Sequence, residues 1–279
     1  MRIAIMTDIH HGPRSHTKRG DTARDLLQQS ARFVVAEKPD LVLDLGDRIS
    51  DVDHETDLRL EREVADALSV IGVPIYHVCG NHDRDHLSVA ENAEILGQSL
   101  ESQLVDLGDW TLALWGAEAK IHRGADRRGF DLPESDLLWL AHTAAAAEKP
   151  LLVASHVPIS GHSQIGNYYF ENTPEASRYP QSERARAGLA KAPVPVLAIA
   201  GHVHWNTVTI VDGIPHLTQQ SLTESFTTQG APAEAWGLLE LGQTCHWQVF
   251  GGDPCELRVT PQARRWTVPH PPFQLRSET

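Results

Sequence analysis

The sequence has 279 residues, with 24 Lys and Arg against 37 Asp and Glu, a formal net charge of −13. An apolar share of 41% supplies a sizeable core and excludes a disordered chain, and the acidic balance excludes a generally basic surface for nucleic acid or anionic membrane. The three cysteines lack CxxC spacing, which excludes a thiolate zinc site, whereas the 16 histidines raise a question that composition leaves open.

Residues 2–7 form an apolar run ending at Asp8 and predict the first strand. A polar loop over 11–20 follows, with Arg14, His16, Lys18 and Arg19. Thr22 and Asp25 have capping-box spacing, and Leu26, Leu27, Phe33, Val34 and Val35 predict a helix to Lys38, stopped by Pro39. Residues 41–45 predict a second strand that runs into Gly46-Asp47. An amphipathic helix over 56–71 carries Leu60, Val64, Leu68 and Ile71 on one face and ends at Gly72. Residues 74–78 predict a third strand, followed at once by Gly80-Asn81-His82-Asp83, and Ser88 with Glu91 opens a helix to Leu96. This alternation predicts βαβ units and a parallel sheet.

The second half is richer in strands. Residues 103–107 and 110–115 flank Gly108-Asp109 as a hairpin, and 207–211 and 214–219 flank Asp212-Gly213 as another. Residues 151–155 and 194–200 read as buried strands, and 236–241 and 246–250 complete the set. The expected organisation is a single domain over 1–259 and a proline-rich arm or tail over 260–279. No apolar run reaches the roughly 18 residues of a membrane span. The N-terminal run meets Asp8 too soon for a signal-peptide apolar region, so a soluble, cytoplasmic protein is expected.

Chemistry-bearing residues cluster at the C-terminal ends of these strands, the edge where open α/β sheets bind ligands. Asp8 and His10 follow the first, Asp47 the second, Asn81 and His82 the third, His156 the 151–155 run, and His202 and His204 the 194–200 run. Such hard and borderline ligands suit divalent Mn, Fe, Co or Zn. Taken singly, each has a bland explanation: Asp47 could cap a turn, Asn81-His82 could end a strand, and His156 could be a satisfied core histidine. His202 and His204 are harder to dismiss, because two residues apart on extended backbone they point the same way.

In order, Asp8-Ile9-His10, Gly46-Asp47, Gly80-Asn81-His82-Asp83, His156 and Gly201-His202-Val203-His204 resemble the motif series of the calcineurin-like metallophosphoesterase superfamily. The resemblance implies an α/β fold, a four-layer α/β/β/α sandwich of two mixed sheets flanked by helices. It implies two divalent ions (Mn, Fe, Zn or Co), one held by Asp8, His10 and His204, the other by Asn81, His156 and His202, with Asp47 bridging. A metal-bridging hydroxide would attack phosphorus in line, while His82 contacts the phosphoryl group and assists the leaving group. Asp83 would orient a nearby histidine or cap a turn. Ser50 stands where purple acid phosphatases carry a metal-binding Tyr, so an iron–tyrosinate site is not expected.

The compact pattern is similar to the single-domain branch that holds bacterial cyclic-nucleotide and glycerophosphodiester phosphodiesterases and nucleotide-diphosphate hydrolases. The implied activity is hydrolysis of phosphodiester bonds in small molecules; a phosphomonoesterase, a nucleotide pyrophosphatase and a non-catalytic scaffold are the alternatives. The expected partner is a small-molecule phosphate ester rather than a nucleic-acid polymer, and a homo-oligomer stays open. For substrate binding, Asn81 and His82 are joined by two loop candidates. Arg14 would draw anions towards the site, and Tyr168 and Tyr169 in the long 157–180 loop would stack on a base or shield the site, unless they form an apolar plug.

Overall fold

The computed structural model describes residues 1–123 and 128–263, so the expected arm lies outside the described residues from 264 onward. In chain order the elements are β1 (Arg2–Met6), α1 (Ala23–Glu37), β2 (Leu41–Asp44), α2 (His54–Ser69), β3 (Ile75–His77), α3 (Val89–Leu96), β4 (Gln103–Asp106) and β5 (Thr111–Leu114). They continue with β6 (Ile121–Arg123), β7 (Arg128–Phe130), α4 (Glu134–Ala145), β8 (Leu151–Ser155), α5 (Ser182–Leu189) and β9 (Val196–Ala200). The chain then runs through β10 (Thr207–Val211), β11 (Ile214–Thr218), β12 (Trp236–Glu240), β13 (Cys245–Phe250) and β14 (Cys255–Val259).

Two six-stranded sheets result, ordered β14-β13-β12-β1-β2-β3 and β10-β11-β9-β8-β5-β4. The first has its parallel strands β1-β2-β3 at one side and antiparallel β12, β13 and β14 at the other, and the second has a parallel centre β11-β9-β8-β5 with antiparallel β10 and β4 outside it. Period-two alternation builds the layers. On β1, Ile3 and Ile5 pack between the sheets against Leu112, Leu114, Leu152 and Ile199. Ala4 and Met6 face the other way, onto Leu27 and Val34 of α1 and Val64 and Leu68 of α2. The second sheet repeats the pattern: Ala113, Val153 and Ala198 pack on Leu137 and Leu140 of α4 and Ala185 and Leu189 of α5. This is the four-layer α/β/β/α sandwich. Full burial of each large aliphatic side chain stabilises it by about 1.5–3 kcal/mol.

Local chemistry explains where the elements start and stop. The Ser88–Glu91 capping box forms in full, and Gly97 closes α3 in the left-handed region at φ 64°. The box expected at Thr22 does not form. A 3-10 turn over Gly20–Thr22 runs straight into α1, and Thr22 Oγ1 donates back to Arg19 O. Strand β9 begins at Val196, two residues later than expected; the intervening Pro195 has no N–H for a ladder and offers only its carbonyl, to Leu151 N at 2.9 Å. Asp212 and Gly213 both take positive φ, 55° and 78°, the two-residue hairpin geometry their sequence predicts. The β6-β7 ribbon and the outer strand β14 were not expected. No described helix is long and apolar enough to cross a membrane.

Candidate metal centre

The parallel strands deliver the polar motifs to one edge. The connections that follow β1 and β2 are laced together: Asp8 N donates to Gly46 O (2.9 Å) and His10 N to Asp47 O (3.0 Å). On the facing sheet, Gly201 N donates to His156 O (3.0 Å). Asp8, His10, Asp47, His202 and His204 all sit at positive φ, from 48° to 70°. Each such non-glycine residue costs on the order of 1 kcal/mol, so the fold holds these side chains against a local preference. The motif glycines answer to crowding. A Cβ on Gly80 would run into the Asp47 amide and carboxylate, and one on Gly201 into the Thr7 hydroxyl and Asp8 carboxylate.

Two buried groups of side chains meet here, Asp8-His10-Asp47-His204 and Asp47-His156-His202, the candidate ligand atoms in each lying within 4.8 Å of one another. Asp47 belongs to both. Its Oδ2 lies 3.7 Å from His10 Nε2 and 3.4 Å from His156 Nε2. Its Oδ1 accepts from His82 N at 2.8 Å. Asn81 joins the second group through Oδ1, 3.3 Å from His156 Nε2. In the first, His10 Nε2 and His204 Nε2 face each other at 2.9 Å, and Asp8 Oδ1 stands 3.4 Å from His204 Nε2.

The far sides of the rings decide what the near sides can do. His156 Nδ1 donates to Leu45 O (2.7 Å), His202 Nε2 to Ala176 O (2.8 Å) and His204 Nδ1 to Glu224 Oε2 (2.9 Å). With those nitrogens engaged, the other nitrogen of each ring points inward, where its neutral form offers a lone pair, the arrangement that prepares a histidine for a metal. Imidazole nitrogens and carboxylates converging lone pair to lone pair require a cation between them, so the cluster suits a divalent metal site.

The electrostatics agree. Burial opposes ionising Asp47, but the charges of His156, His82 and His10 outweigh it and hold its carboxyl well below the usual carboxylate range. Burial alone would depress His156 and His204. The Asp47 carboxylate, and the Asp8 and Glu224 carboxylates respectively, override it and lift both to about 9. His202 has less acidic help: burial and the neighbouring His156 push it down to about 3. The acidic side chains thus demand positive charge in both halves of the cluster.

A model of the calcineurin-like phosphoesterase family matches residues 1–206. The chain belongs to the calcineurin-like phosphoesterase family. Its fold is similar to that of a dimetal phosphatase from Danio rerio, at 16% identity and a TM-score of 0.72, covering 93% of this chain and 98% of that one. It is also similar to purple acid phosphatase PPD1 from yellow lupin seeds, at 13% identity and a TM-score of 0.57, covering 91% of this chain and 53% of that one. The TT1561 protein of Thermus thermophilus matches at 12% identity and a TM-score of 0.53, over 90% of this chain and 98% of that one. None of the curated proteins matches the sequence.

Around this family centre the structure adds three residues and reassigns one. His82 packs edge-on to His10, ring centroids 4.7 Å apart, and its Nδ1 pairs with Asp51, not with Asp83. Asp83 instead accepts from the Asp47, Arg48 and Gly80 amides at 3.0, 2.8 and 2.8 Å and pairs with Arg48, which favours the turn-cap alternative over the histidine orienter. A carboxylate has about four lone-pair sites, and three amides with one guanidinium leave none for an imidazole. Asp51 lies four residues beyond Asp47, and nothing in its spacing distinguishes it from a loop aspartate. Glu224 is fully buried against His204, contributed by a segment outside every motif. Lys18 turns inward, with Nζ 3.3 Å from His82 Nε2.

The loop candidates separate. Arg14 is exposed, and no hydrogen bond ties it to another described residue. Asn167, buried, donates to Val203 O (2.8 Å) and accepts from Tyr169 N (3.0 Å), which folds the 157–180 loop over the last motif. Tyr169 is thereby placed with its ring centroid 5.3 Å from that of His204 and its hydroxyl on Thr17 Oγ1 at 2.8 Å. Tyr168 stays 54% exposed, stacked on Phe226 at 6.3 Å and 23°.

Proposed function

We propose that this protein is a binuclear metal-dependent hydrolase of small-molecule phosphate esters, phosphodiesters included. One observation carries the reading: a single oxygen of Asp47 faces histidine nitrogens of both half-sites, at 3.7 and 3.4 Å. Asp8, His10 and His204 would hold one ion, Asn81, His156 and His202 the other, and Asp47 both. Divalent ions bound there would supply Lewis acidity, lowering the pKa of water and neutralising phosphoryl charge.

The rest is done by the chain itself. The carbonyl and carboxylate partners of His156, His202 and His204 fix the ring orientations before substrate arrives, so no reorganisation is needed. Asp51 holds the His82 ring beside the cluster, where it would contact the phosphoryl group and assist the leaving group. Asp83, tied to the Asp47 and Gly80 amides, keeps the two loops in register. Tyr168 and Phe226 offer an apolar face for a base or another flat group. A monoester or nucleotide pyrophosphatase reading is favoured by the buried Lys18 ammonium beside His82, which suits additional negative charge. The intact ligand set and His82 speak against a non-catalytic scaffold, and the free thiols of Cys79, Cys245 and Cys255 fit a reducing, cytoplasmic compartment.

The test is turnover of bis(p-nitrophenyl) phosphate and p-nitrophenyl phosphate by protein reconstituted with Mn or Zn. Metal-dependent hydrolysis of either ester is the expected result. Metal uptake without hydrolysis of any ester in a panel of cyclic nucleotides, glycerophosphodiesters, nucleotide diphosphate esters and monoesters would leave only the scaffold.

A further inference from the structure

Lys18 occupies an unusual position for a lysine. It ends a tight turn in which Ser15 N donates to Lys18 O (3.2 Å) and Lys18 N to Ser15 O (2.8 Å). The turn is pinned inward by Arg19 N on Thr223 O (3.0 Å), Ser225 Oγ on Thr17 O (2.5 Å) and the Thr17–Tyr169 hydroxyl pair (2.8 Å). The side chain is thereby carried under the loop, and Lys18 is only 6% exposed.

A buried ammonium is ordinarily answered by a carboxylate, because its charge loses hydration that something must replace. Lys18 has no such partner. Among the described residues no carboxylate lies within the 4.0 Å of an ion pair, and Asp47, Asp51, Glu224 and Asp8 act on it from farther away. Its one hydrogen-bond partner among the described residues is His82 Nε2, at 3.3 Å. An ammonium has three N–H donors, so two are left unused beside the histidine that flanks the cluster. His82 Nδ1 pairs with Asp51, so its Nε2 is the acceptor in that contact and the free donors on this side of the site belong to Lys18.

We propose that Lys18 is a substrate-binding residue whose ammonium takes a non-bridging oxygen of the phosphoryl group. It tilts the site towards esters whose phosphoryl carries two negative charges, monoester dianions, over monoanionic diesters. The identity of the substrate rests on the hydrolase reading; the anion-binding role rests on the geometry of Lys18. A diester has one charged oxygen pair to share with the cluster, whereas a monoester dianion brings a further charged oxygen for the ammonium. A residue that served only to hold His82 would not distinguish the two.

The experiment uses metal-loaded wild type, Lys18→Gln and Lys18→Arg, with metal content measured for each. Calorimetry gives the affinity for inorganic phosphate, and kinetics give kcat and KM for p-nitrophenyl phosphate and its bis ester. Lys18→Gln is expected to weaken phosphate binding and raise the monoester KM by about 10- to 100-fold, the size of one hydrogen bond to a charged group, with a several-fold smaller effect on the diester. Lys18→Arg should restore most of the phosphate affinity. An unchanged phosphate affinity in Lys18→Gln, or equal losses on both esters, overturns the proposal and leaves Lys18 a support for His82. A wild type that prefers the diester overturns it without any variant. A wild type that hydrolyses neither ester, yet loses phosphate affinity on Lys18→Gln, overturns the hydrolase reading and upholds the role of Lys18.

Discussion

Replacing Arg48 with methionine removes the cation on which the loop around Asp47 is built. Arg48 is fully buried. Its Nη1 pairs with Asp44 (2.8 Å) and donates to Val78 O (2.8 Å), its Nε pairs with Glu61 (2.5 Å), and its Nη2 pairs with Asp83 (3.0 Å). Asp83 in turn holds the Asp47 and Gly80 amides. Methionine fills similar space but leaves Asp44 and Asp83 buried, with His77 on Asp44 (2.8 Å) as the remaining basic partner. Breaking a buried pair in this way costs about 3–5 kcal/mol. Unfolding entropy near 2.1 cal/mol/K per residue sums to about 0.6 kcal/mol/K for a chain of this length, so Tm should fall by about 5–8 °C. Scanning calorimetry on metal-free protein reads that shift, and a metal titration reads whether Asp47 has moved. A Tm within about 2 °C of wild type, with metal affinity unchanged, would refute the view that Arg48 organises the loop.

The same network makes stability depend on pH. Burial outweighs Arg48 and pushes the Glu61 carboxyl up to about 8 from 4.5 in the unfolded chain. The folded state therefore holds a proton that the unfolded state releases; this contribution is full below pH 4.5 and fades as pH rises through 8. Urea unfolding should show a shallower loss between about pH 5 and pH 9 for Glu61→Gln than for wild type, and parallel curves would refute it. Asp51→Asn deprives the His82 ring of its anionic partner and should lower kcat by about 10- to 100-fold with metal content intact; loss of metal instead would mark Asp51 as a ligand. Tyr168→Ala should raise KM for nucleotide esters by roughly 5- to 100-fold, the range of one base–aromatic stack, and leave alkyl esters alone. An unchanged nucleotide KM ends the stacking role.

The buried His/Asp cluster was legible in the sequence because its residues follow the strands in a fixed order of types, the order a divalent metal site would ask for. Each motif had to follow a buried strand, and apolar runs such as Leu151–Ser155 are plain in the chain. The layers were legible only through the motif series, whose resemblance implied the sandwich; a strand buried on both faces asks for cover on each side and does not say whether a helix or a sheet supplies it. What escaped were contacts between distant segments. Glu224 meets His204 across 20 residues and Asp51 meets His82 across 31, and no local pattern marks either carboxylate. Nothing in the spacing of Arg14, Lys18 and Arg19 on the polar loop tells them apart, and it is the turn at Ser15 that carries Lys18 alone of the three into the interior. The short β6-β7 ribbon and the half-exposed β14 carry too few apolar residues to announce themselves.

Equilibrium dialysis of wild type and Asp47→Asn with Mn or Zn, read as ions bound per chain, tests the shared-carboxylate centre most directly. About two ions are expected on wild type, with ester hydrolysis rising as they bind, and a sharp loss of affinity and turnover in Asp47→Asn, whose amide cannot serve both half-sites as an anion. A folded wild type that binds at most one ion, or an Asp47→Asn variant that keeps full occupancy and full turnover, would contradict it.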